Sequence, residues 1–146
     1  KKNSINFFQL SDLVSSVAPI GLFFGRLANF INVELYGRVT DFPFAIIYPN
    51  IDRMPRHPSQ LYEAFFEGIV LFIVLKYYNK KNYSKNNFGL ITSLFLILYG
   101  IFRFSIEFLR EPDVHIGLVF NSITMGQLLS VPLIILGIGI YLKKIL

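Results

Sequence analysis

The sequence is 146 residues long, 53% hydrophobic and 16% charged, with a net charge of +5, whereas an ordinary soluble domain carries about 25% Asp, Glu, Lys and Arg. Its apolar residues fall in long blocks rather than on alternating or single helical faces, so the solvent they imply is lipid. There is no cysteine, which excludes a disulfide framework, a thiolate metal site and a cysteine nucleophile from this chain. Two histidines, His57 and His115, without a His-x-x-x-His pair, argue against a zinc centre. The sequence opens on Lys1 with no signal-peptide pattern and reads as a fragment.

In chain order, four stretches approach the roughly 20 residues that a helix needs to cross a hydrocarbon core. The first, 13–30, carries Ser15, Ser16, Pro19 and Arg26, but its Gly21-x-x-x-Gly25 spacing lets another helix come close. The others are 61–78, 88–109 and 123–142, with Pro132 expected to bend the last. The fold class expected is an all-α integral membrane protein with about four transmembrane helices, 1–146 forming one membrane domain. Outer loops are expected at 31–60 and 110–122. The first is irregular, with Pro43, Pro49, Pro55 and Pro58 around a β-branched and aromatic run at 44–48 that suits a brief strand or an interfacial segment.

The basic residues are segregated. All eight lysines, Lys1, Lys2, Lys76, Lys80, Lys81, Lys85, Lys143 and Lys144, fall on one side if the four segments alternate, and the positive-inside tendency makes that side cytoplasmic. Both termini then lie inside. The six arginines, Arg26, Arg38, Arg53, Arg56, Arg103 and Arg110, lie in the opposite loops or in helices near them. Lysines that orient the chain account for most of the positive charge, so nucleic acid is not an expected partner; membrane lipids are.

Three clusters carry candidate chemistry. Tyr99, Arg103 and Glu107 are spaced four apart and Arg110 lies three further on, one stripe of a helix. A charge inside a span costs about 2.5–3.5 kcal/mol on insertion scales and usually faces a polar cavity or a substrate. One acid between two arginines leaves positive charge unpaired on this count, and a guanidinium fork suits phosphate. The second cluster runs from Gly25 to Arg38 and includes Arg26, Asn29, Glu34 and Gly37; a capping Asn29, a snorkelling Arg26 and a turn at Gly37 are the structural alternatives. The third is Arg56-His57-Pro58-Ser59-Gln60-Leu61-Tyr62-Glu63, with Glu67 a turn later. There Ser59 is an expected N-cap, and His57 is either a proton acceptor or a junction residue.

Gly25-Arg26-x-x-Asn29-Phe30-x-Asn32-x-Glu34-Leu35-Tyr36-Gly37-Arg38, the Arg56 to Glu63 block, Tyr99-Gly100-x-x-Arg103-Phe104-x-x-Glu107-Phe108-x-Arg110-Glu111-Pro112-Asp113 and Met125-Gly126-Gln127-x-Leu129-Ser130 stand in this order. Together they resemble the bacterial prolipoprotein diacylglyceryl transferases. The resemblance implies a multi-pass enzyme of the bacterial cytoplasmic (inner) membrane, active toward the outer face, with a cytoplasmic C-terminus. Such an enzyme moves the diacylglyceryl group of phosphatidylglycerol onto the lipobox cysteine of a prolipoprotein, making a thioether without cofactor or metal. It also implies functional roles for Arg26, Asn29, Glu34, Gly37, Tyr99, Arg103 and Glu107. On the chemistry, Arg26 and Arg103, with Asn29, Gly37 and Arg110, would bind substrate, while Glu34, Glu107 and His57 are the possible proton acceptors. Members are about twice as long and carry a His-Gly-Gly motif not found here, so the chain is expected to be a carboxy-terminal portion, inactive alone. A non-catalytic phospholipid-binding or lipid-moving protein and a purely structural subunit are the competing readings; the last requires paired intramembrane charges.

Overall fold

The computed structural model describes residues 6–82, 87–112 and 122–145. Lys1, Lys2, Lys85, Asp113 and His115, with most of the second expected outer loop, lie outside the described residues. The elements in order are α1 (Phe7–Ile31), β1 (Ile46–Ile47), β2 (Pro55–Arg56), α2 (Ser59–Glu63), a π-helical turn (Ala64–Val70), α3 (Leu71–Asn82), α4 (Leu90–Ile106) and α5 (Met125–Ile145). Helix therefore dominates and the only sheet among the described residues has two strands. Two helices, Phe7–Ile31 and Met125–Lys144, are long and apolar enough to cross a membrane. Leu90–Ile106 is apolar but shorter. Their outward residues, such as Val14, Val17 and Phe24 on α1 and Ile135, Leu136 and Ile138 on α5, are exposed, while the buried apolar core is small, centred on Leu71, Leu75 and Ile91. Surfaces so apolar are stable against lipid and costly against water.

α1 begins six residues before the expected start because Asn6 caps it, its side chain accepting from the Phe8 N–H at 3.0 Å. The polar pair Ser11 and Asp12 does not interrupt the helix because both face α4. The Asp12 carboxylate accepts from the N–H groups of Gly89 and Thr92 at 2.7 and 2.8 Å, and from the Thr92 hydroxyl at 2.6 Å, capping α4 from a neighbouring helix. Lys144 Nζ sits 4.6 Å from the centre of the Phe8 ring. The starts of α1 and α4 and the end of α5 thus share one end of the bundle, so α1 and α4 run in parallel and α5 returns. α5 continues unbroken through Pro132.

α1 closes in a Schellman motif: the Val33 N–H donates to Phe30 O at 3.2 Å and the Glu34 N–H to Asn29 O at 2.8 Å. Val33 has φ 58, a left-handed conformation that is unusual for a β-branched residue. Asn29 therefore helps end the helix through its carbonyl. The segment that follows pairs Ile46 with Arg56 and Ile47 with Pro55, inside the run expected at 44–48. The strand is only two residues long because turns flank it, with Ala45 N–H donating to Phe42 O and Ile51 N–H to Tyr48 O, both at 2.9 Å.

Ser59 is not the N-cap expected of it. Pro58 occupies that position, and the Ser59 hydroxyl instead donates to Leu35 O at 2.9 Å. The fixed backbone of Pro58 starts α2 without a side-chain cap, which leaves the hydroxyl to hold the outer segment. Arg56 pins the same segment, its Nη1 donating to Gly37 O at 3.1 Å and to Glu111 at 3.0 Å and its Nε to Asp52 at 3.1 Å, while it lies over the Tyr36 ring. Burial raises the phenol pKa of Tyr48, whose hydroxyl donates to Gln60 Oε1 at 3.3 Å.

The Arg56 guanidinium lowers the pKa of Asp52 below its ordinary 3.8. A depressed carboxyl stabilises the folded loop above the unfolded value and loses that contribution as pH falls through the folded one. The Met54 amide, which donates to Asp52 Oδ1 at 3.2 Å, reports the event. Its NMR shift is expected to titrate with a midpoint below 3.8; a midpoint at or above that value would show that the ion pair does not form.

Candidate functional site

At the end of the bundle opposite Lys144, six ionisable side chains alternate in sign along a buried ladder: Glu67, Arg26, Glu63, Arg103, Glu107, Arg110. Arg26 Nη2 lies 3.2 Å from Glu67 Oε2 and Arg26 Nε 3.0 Å from Glu63 Oε2. Arg103 Nη1 lies 2.6 Å from Glu63 Oε1, and Arg103 Nη2 3.0 Å from Glu107 Oε2. Arg110 Nη1 ends the ladder 3.8 Å from Glu107 Oε2. The Glu63 and Glu67 side chains are 0% exposed and those of Arg26 and Arg103 13%. The first three rungs join different elements, α1 giving Arg26, α2 Glu63, the π-helical turn Glu67 and α4 Arg103, while the last two run along the end of α4 and the turn after it.

Local sequence explains the convergence. Glu63 and Glu67 are four apart and face one side of their helix. Gly68 beside them lets α1 come close, since a Cβ there would lie 2.7 Å from Phe23 Cβ. Arg26, a turn beyond Phe23, is thereby brought to both acids. Tyr99, Arg103 and Glu107 share a stripe as their spacing requires, with the Tyr99 ring stacked on Phe95 at 5.6 Å. A cleft of about 340 Å³ opens beside this stripe, with Tyr99, Arg103, Glu107 and Arg110 on one wall and Met125, Gly126, Leu129 and Ser130 of α5 on the other.

The count that left arginine charge unpaired is corrected by this geometry. Three carboxylates face three guanidiniums; Glu63 and Glu67, read from sequence only as part of a helix start, supply the missing partners. Their i, i+4 spacing at the mouth of an apolar span was the signal available. The other expected site residues are distributed more widely. Gly37 is buried in the outer segment, bridged to Arg110, where a Cβ would lie 2.8 Å from Leu109 O and collide with the His57 carbonyl. Space, rather than contact with a ligand, accounts for glycine there. Glu34 is exposed and meets its neighbours through its carbonyl, which accepts from Gln60 Nε2 at 2.6 Å. His57 Nδ1 lies 3.4 Å from the Tyr62 hydroxyl, with Phe42 against its ring, outside the ladder. Asn29 is half-buried one turn beyond Arg26.

A bundle of apolar helices that buries an ionic ladder beside a cleft defines a class: helical proteins of membrane type with a polar site between their helices. The chain belongs to the prolipoprotein diacylglyceryl transferase family, whose model matches residues 1–143. It is 58% identical over 137 residues to a phosphatidylglycerol--prolipoprotein diacylglyceryl transferase of Rickettsia akari, covering 94% of this chain and 53% of the relative. A Rickettsia felis protein of the same name is 57% identical over the same coverage. The Rickettsia bellii counterpart is 55% identical over 143 residues, 98% of this chain and 54% of its own length. The chain spans about half the length of the curated relatives it matches.

Glu63 serves two arginines at once, so its removal strands both. Taking one partner from a buried ion pair costs about 3–5 kcal/mol. Glu63→Ala is accordingly expected to lose stability in that range, measured by denaturation in detergent micelles; a loss below about 1 kcal/mol, the value of an exposed pair, would show that the ladder is solvated.

Proposed function

We propose that the chain is part of an enzyme that transfers the diacylglyceryl group of phosphatidylglycerol to the lipobox cysteine thiol of a prolipoprotein, forming the thioether that begins lipoprotein maturation. The observation that carries the proposal is the cleft walled by Arg103 and Arg110, in a chain whose relatives bear that activity in their names. In this reaction the sulfur attacks a glycerol carbon of the lipid and the carbon–oxygen bond to the phosphate breaks. Negative charge gathers on the departing glycerol phosphate. Guanidinium groups fixed in advance in a poorly hydrated cleft stabilise that charge most when it is fully developed. The incoming thiol has an ordinary pKa near 8.5, so a proton acceptor or positive field must favour the thiolate. Glu107 is the one of the three candidate acceptors that lines the cleft. Tyr99 on the same wall is suited to orienting the substrate, and Arg26 acts through Glu63, the acid that it shares with Arg103.

In this reading four helical passes cross the bacterial inner membrane, the second being the continuous helix from Ser59 to Asn82. Both termini are cytoplasmic and the ladder lies toward the outer face. Support comes from Lys80 and Lys81 at the end of α3, with Lys76 a turn before them, and from Lys143 and Lys144 at the end of α5. The remaining half of the relatives' length completes the active site. The balanced ladder favours one rival specifically, a structural staple between helices, because paired charges are what that reading requires.

A chimera separates them: this chain replaces its matching segment in the Rickettsia akari relative, and transfer to a lipobox peptide is measured in phosphatidylglycerol membranes. Arg103→Lys keeps the charge but not the fork and is expected to lower transfer by about 100-fold, the scale of losing one stabilising donor, with insertion and folding intact. Near-normal transfer by the folded variant would reject the guanidinium clamp in favour of the staple, and no transfer by the folded, unsubstituted chimera would reject the enzyme reading itself.

A further inference from the structure

Glu107 lines the cleft among cationic donors. Its carboxylate meets Arg103 Nη2 at 3.0 Å and Arg110 Nη1 at 3.8 Å. It also rests on Gly126 in the first turn of α5, where a Cβ would lie 2.6 Å from both its Cδ and its Oε2. Only glycine leaves that room. Thr124 and Gln127 close the same turn reciprocally, Thr124 N–H donating to Gln127 Oε1 at 3.2 Å and Gln127 N–H to Thr124 Oγ1 at 3.3 Å. The positive end of a 21-residue helix is thus brought to the carboxylate. Two guanidiniums and a helix N-terminus converging beside a cleft of about 340 Å³ are the donors a phosphate oxyanion would use.

We propose that Glu107 is an internal counter-anion, held where the phosphate of a lipid headgroup binds and displaced when that phosphate arrives. The inference rests on the reading of the cleft given above. Two anions cannot share these donors without repulsion, and the exchange keeps the site neutral in the absence of lipid. Arg103 does not lose its position during it, because Nη1 remains on Glu63 at 2.6 Å while Nη2 changes partner. Free phosphate presents the same oxyanion as the headgroup.

The test uses the full-length chimera described above in phosphatidylcholine nanodiscs, titrated either with phosphatidylglycerol in the bilayer or with inorganic phosphate in the water. Glu107→Gln removes the competing charge at constant size and is expected to bind phosphatidylglycerol about tenfold more tightly than the parent, about 1.4 kcal/mol. A gain for the lipid alone identifies the headgroup as ligand; an equal gain for inorganic phosphate identifies any phosphate. Unchanged or weaker binding by the variant overturns the counter-anion role and leaves the cleft reading standing. No binding by either protein, with helical content intact, overturns the cleft reading itself. Should the variant not fold, the parent carrying carboxyl-labelled glutamate answers the question by infrared spectroscopy. Phosphatidylglycerol is expected to shift a glutamate carboxylate band that phosphatidylcholine leaves in place, and the absence of a shift overturns the proposal.

Discussion

Glu63 holding Arg26 with one oxygen and Arg103 with the other is the constraint on which the rest depends. An ionised group among apolar helices is stable only when it is paired and its pairing is geometrically good. One carboxylate between two guanidiniums meets that condition only if α1, α2 and α4 arrive at fixed relative positions, so the ion ladder sets the arrangement of the helices as much as the apolar packing does. The small apolar core around Leu71, Leu75 and Ile91 is consistent with that division. Lipid-facing surface contributes little to holding helices together, because it is apolar whether they are packed or apart.

The outer segment extends the same logic to the surface. Arg56 collects the Gly37 carbonyl, Glu111 and Asp52, and the Gly37–Arg110 bridge fastens the segment to the end of α4. Arg110 is therefore held by its backbone from outside and directed toward Glu107 from within. Residues as distant in sequence as Gly37 and Glu107 are coupled through it, which gives Gly37 a mechanical connection to the cleft although steric room explains its identity.

Much of this was legible in the sequence because membrane helices announce themselves by long apolar blocks. The helices lie close to where composition puts them, and the brief strand falls inside the β-branched run. What misled was local counting. Arginine charge reads as unpaired when only neighbours on the same helix are tallied, and the partners Glu63 and Glu67 come from a helix some forty residues away, brought in because Gly68 admits α1. Asp12 capping α4 is of the same kind, a tertiary contact with no short-range signature. Ser59 failed as a cap because a distant carbonyl, Leu35 O, competes for its hydroxyl. Motif order, by contrast, carried the family without any geometry.

Glu63 and Arg103 act as one buried unit, and a double-mutant cycle on stability measures that coupling. Glu63→Gln, Arg103→Gln and the double variant should show a coupling at the upper end of the roughly 0.5–3 kcal/mol found for residues in contact, because removing both charges relieves the stranded one. Additive losses, within about 0.5 kcal/mol, would contradict the account.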